Sequence, residues 1–264
     1  MDLQLKNKTA FVSGSTAGIG FAIAQSLLQE GVKVIINGRT QSNIDTAIVN
    51  LKSIVPGANV SGIVADFSKV DEVNALISSL PVVDILVNNA GIFEPKAFVD
   101  IPDEDWFRFF DVNVMSGVRL SRALLPQMIG RNWGRIIFIS SESGVFIPEE
   151  MIHYGMTKTA QIAVARGLAE MTKGTGVTVN TILPGPTRSQ GVETFLKDLS
   201  RTKNITIAEV EKDFFSDMRP TSLLNRFATV DEVAHTVTYY VSPLASATNG
   251  AAIRVEGGLI RSIL

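Results

Sequence analysis

The sequence predicts an α/β fold built on a doubly wound parallel sheet of about seven strands, with helices on both faces. Short runs rich in β-branched residues alternate with longer stretches of helical periodicity, a pattern typical of parallel strands joined by helical crossovers. Most of the runs are continuously apolar, which favours strands buried on both faces. The predicted strands are Thr9–Ser13, Val32–Asn37, Val60–Ala65, Ile85–Asn88, Arg135–Ser140, Val177–Leu183 and Ala251–Val255, and the predicted helices are Ile19–Gln29, Gln41–Lys52, Val70–Ser79, Asp103–Met128, Ile152–Thr172 and Val230–Val241.

Composition argues against several classes of function. The 264 residues are 45% apolar, enough for one large domain with a core on both faces of a sheet. A formal net charge of −2 with no basic block argues against nucleic acid as a partner. No cysteine is present and His153 and His235 are the two histidines, so we expect no disulfide and no metal site. The start lacks a signal-peptide pattern and no apolar run approaches about 18 residues, so we expect no membrane association and a cytoplasmic protein.

A glycine-rich turn separates the first predicted strand from the first helix. Gly14, Gly18 and Gly20 have the spacing Gly-x-x-x-Gly-x-Gly. Glycine lets a backbone turn tightly and approach a pyrophosphate, and the N-terminus of the helix that follows favours an anion. The turn therefore predicts a dinucleotide site, and the alternative is a turn that binds nothing.

The ends of the second and third strands bear on which dinucleotide binds. The second strand ends in Gly38-Arg39, and no carboxylate stands there to accept the ribose 2′-hydroxyl of NAD. Arg39 offers a planar cation to a 2′-phosphate, so we infer NADP(H) over NAD(H), with a solvated loop arginine as the alternative. Asp66 follows the third strand and could accept from an adenine amino group or cap a turn beside Ser68.

Four polar residues far apart in the sequence suit the protonation of a carbonyl oxygen. Tyr154 and Lys158 are four apart in a predicted helix and therefore share one face. The lysine charge, together with the nicotinamide charge of an oxidised cofactor, would lower the pKa of the tyrosine and make it a better proton donor at neutral pH. Ser141 ends the fifth strand, and Asn113 places an amide that needs a partner in a long apolar helix. Taken singly, each could be structural: a surface pair, a strand-end cap or a buried amide satisfied by backbone.

Taken together, these motifs resemble those of a single-domain short-chain dehydrogenase/reductase, and they occur along the chain in the same order as in that family. The resemblance covers essentially the whole sequence. It implies a Rossmann-type domain over residues 1–264 that transfers hydride between a nicotinamide cofactor and a small carbonyl or alcohol substrate. The matching motifs are Ser13-Gly14-x-x-x-Gly18-Ile19-Gly20, Asp66, Asn88-Asn89-Ala90-Gly91, Asn113, Ser141, Tyr154-x-x-x-Lys158 and Pro184-Gly185 with Thr187. The implied cofactor contacts are Gly14, Ser15, Gly18, Ile19, Gly20, Arg39, Asp66, Phe67, Asn89, Ala90, Gly91, Tyr154, Lys158, Pro184, Gly185 and Thr187.

The resemblance also implies a role for each member of the catalytic tetrad. Tyr154 is the general acid in reduction and the base in oxidation, and Ser141 orients the substrate oxygen. Lys158 lowers the tyrosine pKa and holds the nicotinamide ribose, and Asn113 holds a water that relays protons to Lys158. His153 adjoins Tyr154, but neighbours on a helix point about 100° apart, which disfavours the histidine as a second acid.

A long irregular stretch before the last helix is predicted to be an insertion at about residues 186–227. We expect helices of its own in it and interpret it as a lid over the substrate. Thr229 and Glu232 form a capping box that opens the last helix. The pocket should be lined by Phe93, Glu142–Ile147 and the insertion residues Phe195, Phe214, Phe215 and Met218, unless these aromatic residues form a small core of their own.

The leading hypothesis is an NADP-dependent oxidoreductase that interconverts a ketone and a secondary alcohol. A 3-oxoacyl-acyl-carrier-protein reductase, a sugar or polyol dehydrogenase and a non-catalytic NADP(H) sensor are the alternatives. Glu149-Glu150 would either repel acidic substrates or lie in a solvated loop. The resemblance further implies a homotetramer or homodimer that packs two long helices and the C-terminal strand. Positive charge for an acidic carrier protein would come from Arg119, Arg122, Arg131 and Arg135.

Overall fold

The computed structural model describes residues 1–263, which form one parallel sheet of seven strands. The spatial order is β3-β2-β1-β4-β5-β6-β7, so the chain runs outward from β1 in one direction and from β4 in the other. This reversal is the doubly wound arrangement that the sequence predicts, and the fold class is confirmed. The strands are β1 Thr9–Val12, β2 Lys33–Gly38, β3 Val60–Val64, β4 Ile85–Asn88, β5 Gly134–Ile139, β6 Val177–Pro184 and β7 Ala252–Val255.

Helices cover both faces of the sheet. Successive residues of β1 divide between the two cores, since Ala10 and Val12 face one and Phe11 faces the other. The first core is closed by α1, α2 and α9, and the second by α3, α5 and α6. The helices in residues 1–263 are α1 Gly18–Gln29, α2 Gln41–Ile54, α3 Val70–Ser79, α4 Asp103–Phe109, α5 Ser116–Gly130, α6 Ile152–Glu170, α7 Gln190–Lys203, α8 Ile207–Asp213 and α9 Val230–Tyr240.

The prediction of one long helix over Asp103–Met128 is wrong in one respect. A π-helical segment, Phe110–Met115, divides this stretch into α4 and α5, and α5 continues to Gly130. The π-helical turn carries one residue more than an α-turn and often marks a functional site. Asn113 lies in this segment, fully buried, and its backbone carbonyl accepts a hydrogen bond from the Gln161 side chain at 2.5 Å.

The segment 186–227 contains helices of its own, as predicted. It holds α7, α8 and a short π-helical segment, Phe214–Met218, which pack around a separate apolar cluster of Leu196, Val210, Phe215 and Phe227. The two ends of the segment meet in a parallel bridge between Thr187 and Ala228. Within residues 1–263 no helix is long and apolar enough to cross a bilayer.

Candidate active site

Two adjoining cavities open at the carboxyl ends of the central strands. One is a groove of about 710 Å³ that runs along the glycine turn and the ends of β2, β3 and β4. The other is a pocket of about 220 Å³ beside the ends of β5 and β6. Ile19, Phe93 and Ser189 line both, so a ligand in the groove would reach the pocket. Ligands of open α/β sheets bind at this edge.

The glycine turn has a geometry that larger residues would disrupt. Gly14 and Gly18 both have a φ of +59°, a conformation that other residues rarely adopt. A Cβ built on Gly20 would lie 2.4 Å from Nδ2 of Asn89. Helix α1 then begins without a side-chain cap, so its first N–H groups face the groove. These features fit a bound pyrophosphate.

Two polar side chains hold this turn: Asn37, which sequence reasoning missed, and Ser13, which belongs to the predicted glycine motif. Asn37 is buried; its Oδ1 accepts from the Gly14 N–H at 3.0 Å and its Nδ2 donates to the Ile63 and Ala65 carbonyls. The Ser13 hydroxyl accepts from the N–H groups of Asn89 and Ala90 at 2.9 Å each. A polar residue in an otherwise apolar strand was the available signal for Asn37.

Ser15 was predicted to contact the cofactor, but the structure turns its side chain inward. It is fully buried, its hydroxyl donates to the Val12 carbonyl at 2.6 Å, and it accepts from the Asn37 N–H at 3.0 Å. The Ser15 hydroxyl therefore stabilises the turn. The other predicted contacts from this half of the sheet line the groove: Gly14, Gly18, Ile19, Gly20, Arg39, Asp66, Phe67, Asn89, Ala90 and Gly91.

Arg39 and Asp66 stand at the rim of the groove. Arg39 is exposed and makes no hydrogen bond or ion pair with any other residue from 1 to 263. Asp66 accepts from both the N–H and the hydroxyl of Ser68, at 2.9 and 2.8 Å. Burial acts to raise the pKa of Asp66, but these hydrogen bonds and the charge of Arg39 lower it overall. Asp66 thus makes the predicted turn cap and also faces the groove.

The four predicted catalytic residues converge between the groove and the pocket. Ser141 follows β5, and Tyr154 and Lys158 lie one turn apart on α6; Ser141 and Tyr154 both line the pocket. The Lys158 Nζ is 5.5 Å from the centroid of the Tyr154 ring and donates to the Ile139 carbonyl at 2.9 Å. Asn113 packs behind them.

The Asn113 side chain finds the partners that its burial requires. Its Oδ1 accepts from the Ile92 N–H at 2.8 Å, and its Nδ2 donates to the Ile92 carbonyl and to the Thr157 hydroxyl at 3.0 Å each. Through Asn113, these hydrogen bonds connect the loop after β4, at Ile92, with α6, at Thr157. They fix the backbone that carries Gly91, whose Cα faces Asn113 and Lys158.

Gln161 bridges Asn113 and Lys158 and was missed by sequence reasoning. The buried side chain donates to the Asn113 carbonyl at 2.5 Å and accepts from Lys158 Nζ at 3.1 Å. It therefore contacts both groups that the predicted water relay would join. Its position three residues after Lys158 on the same helix was the available signal.

The protein's own groups shift the pKa of Tyr154 upward, so the lowering expected from Lys158 is not produced by the lysine alone. Burial raises the pKa of this phenol, the neighbouring Glu142 carboxylate raises it further, and hydrogen bonding with Ser141 opposes them. Burial also lowers the pKa of Lys158 to about 7, although Glu142 acts against that change. Lysine charge therefore does not dominate here, because desolvation acts on both groups and a carboxylate lies close by.

The pocket walls agree in part with the prediction. Phe93 lies edge-on to Tyr154, with ring centroids 6.4 Å apart. Val145–Ile147 are exposed and do not line the pocket, because the short helical turn at Glu142–Gly144 directs the chain away. Phe215 belongs to the core of the insertion instead. Predicted residues that do line the pocket are Glu142, Ser143, Pro184, Gly185, Thr187, Phe195, Phe214 and Met218.

Three other sequence candidates lie away from the pocket. His153 is fully buried and does not line the pocket, and its ring centroid is 4.1 Å from that of Phe109. Arg131 and Arg135 flank the start of β5, at the sheet edge opposite Ser141, and Arg135 is buried. These two arginines therefore offer no positive surface at the mouth of the pocket.

Comparison with known proteins identifies the family. A family model described as short chain dehydrogenase matches residues 8–200. The chain is a short-chain dehydrogenase/reductase. This short-chain dehydrogenase/reductase is 50% identical over 263 residues to the uncharacterized oxidoreductase YvaG of Bacillus subtilis (strain 168), with 100% of both chains covered. It is 31% identical to D-beta-hydroxybutyrate dehydrogenase of Cupriavidus necator, covering 97% of this chain and 99% of that protein.

Solved structures agree with this assignment. L-Sorbose reductase from Gluconobacter frateurii, crystallised with NADPH and L-sorbose, superposes with a TM-score of 0.93 at 28% sequence identity, covering 100% of both chains. The short-chain dehydrogenase/reductase described here is accordingly an oxidoreductase that uses a nicotinamide cofactor and acts on alcohol or ketone groups of small molecules.

Proposed function

We propose that the enzyme reduces a ketone to a secondary alcohol with NADPH, and that Tyr154 is the general acid. The observation that carries this proposal is the meeting of Ser141 and Tyr154 at the wall of a pocket that joins the dinucleotide groove. A cofactor bound there would supply the hydride and, once oxidised, a positive charge. The groove residues that would hold it are those of the glycine turn, the Asn89–Gly91 loop and the ends of β2 and β3, with Pro184, Gly185 and Thr187 beside the pocket.

The Tyr154 phenol is protonated at neutral pH, which is the form a general acid must have. Burial and Glu142 raise its pKa and weaken it as an acid, and the positive charge of an oxidised cofactor beside it would act in the opposite direction. In the proposed step the Tyr154 hydroxyl gives its proton to the carbonyl oxygen while the carbonyl carbon accepts hydride, and Ser141 holds that oxygen. Lys158, whose pKa is about 7, can then return a proton to the Tyr154 phenolate.

NADP(H) is proposed over NAD(H) because of Arg39. Its guanidinium is unpaired within residues 1–263 at the groove rim, and Asn37, in the strand before it, is committed to the turn. A planar cation there would bind a 2′-phosphate through charge-assisted hydrogen bonds. Arg39→Gln should therefore raise the KM for NADPH while leaving the KM for NADH unchanged. An equal rise in both KM values would show that Arg39 does not bind the 2′-phosphate.

A sugar or polyol substrate is the second candidate. The structural similarity to L-sorbose reductase favours it, and so do Glu142 and Glu150, two carboxylates in the pocket that could accept hydrogen bonds from hydroxyl groups. A 3-oxoacyl-acyl-carrier-protein reductase is less well supported, because Arg131 and Arg135 lie at the opposite edge of the sheet.

The deciding experiment follows oxidation of NADPH and NADH by the purified enzyme against cyclic, aromatic, ester-bearing and polyhydroxylated ketones and 3-oxoacyl thioesters. Tyr154→Phe is the control, because it removes the acid and keeps the ring. We expect turnover with NADPH that falls at least about 100-fold in Tyr154→Phe, with NADPH still bound. Tight NADPH binding without turnover on any compound would favour the non-catalytic sensor.

A further inference from the structure

The pocket carries charged side chains that the proposed reaction does not use. Among its described lining residues these are Glu142, Glu150 and Arg219, contributed by the β5 end, the loop before α6 and the insertion. Two carboxylates and one guanidinium give a formal charge of −1 (1 − 2). Tyr154 is the remaining titratable group on the wall, and Lys158 lies behind it.

Arg219 has the chemistry of an anion anchor but is already paired. Its side chain is 6% exposed, and Nη1 and Nη2 both donate to Glu150 Oε1 at 3.2 Å. Its Nε is 3.7 Å from Glu142 Oε1 and makes no hydrogen bond within residues 1–263. The remaining bond of the guanidinium goes to the Met218 carbonyl at 2.8 Å. Arginine held between two carboxylates has little charge left to offer a ligand.

Glu142 places a carboxyl group beside the reacting position; burial raises its pKa, and the hydrogen bond from Ser141 and the charge of Arg219 oppose that rise. Its side chain is 7% exposed, and it accepts a hydrogen bond from the hydroxyl of Ser141, the residue proposed to hold the substrate oxygen. A substrate carboxylate near that oxygen would face Glu142 at close range. To reach Arg219 it would have to displace one of the two glutamates from its ion pair, and the cost is greatest for the buried Glu142.

We infer that Glu142 and Glu150 are specificity-determining residues that restrict the pocket to uncharged carbonyl compounds and reject 2- and 3-oxo acids. The inference rests on the proposed function and deepens it. Apolar groups of the substrate would pack on Phe93, Phe195 and Phe214, and any hydroxyl groups would donate to the two carboxylates. Removing both carboxylates converts Arg219 into a carboxylate anchor.

The test compares acetoacetate with its ethyl ester, which share the reacting ketone and differ in charge. The wild type should favour the ester in kcat/KM with NADPH by about tenfold or more. In Glu142→Gln/Glu150→Gln the ratio of acetoacetate to ester should rise by about tenfold or more, and adding Arg219→Gln should cancel the rise. Glu150→Gln alone, at the more exposed site, should give a smaller rise and serves if the double variant does not fold.

A second readout separates this inference from the proposed function. Binding of both compounds to each NADPH-saturated variant is measured by quenching of NADPH fluorescence, which needs no turnover. Comparable efficiency or affinity for acid and ester in the wild type would overturn the inference, as would a folded double variant with no gain for acetoacetate. A gain in acetoacetate binding without reduction of any ketone would uphold the charge selection and refute the proposed reaction.

Discussion

At the residue scale, Gln161 joins the two buried groups on which the proposed proton path depends. Its amide contacts the Asn113 carbonyl on one side and the Lys158 ammonium on the other. Within residues 1–263, the Lys158 ammonium donates to Gln161 and to one backbone carbonyl, that of Ile139. An ammonium with so few partners in a buried site is readily deprotonated, in agreement with a Lys158 pKa of about 7.

Replacing Gln161 with Leu should impair turnover more than cofactor binding. Leucine has a similar size but accepts no hydrogen bond, so the pKa of Lys158 should fall further and the alkaline limb of the kcat profile should move to lower pH. We expect kcat to fall about tenfold, equivalent to about 1.4 kcal/mol. The measurement is the pH dependence of kcat at saturating NADPH and ketone.

The control is Gln29→Leu, which alters an exposed glutamine at the C-terminal end of α1, the end of that helix opposite the glycine turn. That variant should keep the profile of the wild type. A Gln161→Leu enzyme with normal NADPH binding and an unshifted alkaline limb would show that Gln161 is not a positioning residue.

Sequence spacing located Tyr154, Lys158, Ser141 and Asn113 because each occupies an end or a face that the secondary structure defines. It could not find the Glu142–Arg219 pair, since 77 residues separate the partners and no periodicity joins them. Sequence spacing also could not give the direction of the Tyr154 pKa shift. That direction depends on how fully the fold buries the phenol and on a carboxylate that tertiary packing brings near.

At the element scale, β1, β2, β4, β5 and β6 could be predicted because burial on both faces gives each an apolar run. The edge strands β3 and β7 are partly exposed, yet the structure shifts the ends of all seven strands by one residue at most. The break in the predicted helix at Phe110–Met115 could not be predicted, since a π-helical turn keeps the backbone helical and no proline or glycine marks the segment. The π-helical turn is stabilised by a hydrogen bond from the side chain of Gln161, on α6, to the Asn113 carbonyl.

Helix α6 carries a buried histidine that should make the fold sensitive to acid. His153 packs between Trp106 and Phe109, and neither ring nitrogen has a hydrogen-bond partner within residues 1–263. Burial lowers its pKa below the ordinary 6.5, and the charges of Asp105, Glu94, Lys96 and Arg108 partly cancel one another. Below about pH 6.5 the unfolded chain therefore binds a proton that the folded chain resists, and stability falls.

His153→Leu should flatten this dependence. We expect the Tm of the wild type to fall more steeply than that of His153→Leu between pH 7 and pH 5, in differential scanning calorimetry at constant ionic strength. His235→Leu alters an exposed histidine on α9 and should keep the wild-type slope. Parallel slopes for all three proteins would show that His153 titrates alike in the folded and unfolded chains.

At the scale of the whole molecule, the insertion and the main sheet share one pocket. The insertion has its own apolar cluster but reaches the catalytic end through Arg219, which pairs with Glu142 and Glu150. Its two ends are joined by the Thr187–Ala228 bridge. We propose on this basis that residues 1–264 form one domain in which the insertion closes over the substrate.

Self-association is the remaining prediction at this scale. Phe98, Phe107 and Phe110, around α4, are 60%, 74% and 40% exposed, an apolar surface that favours burial against another copy. We expect light scattering at micromolar concentration to give a homotetramer or homodimer of the 28.5 kDa chain. In a two-fold interface each substitution acts twice, so Phe107→Glu should lower the mass. Val49→Glu, at an exposed valine on α2, should leave it unchanged, and a monomeric wild type would refute the prediction.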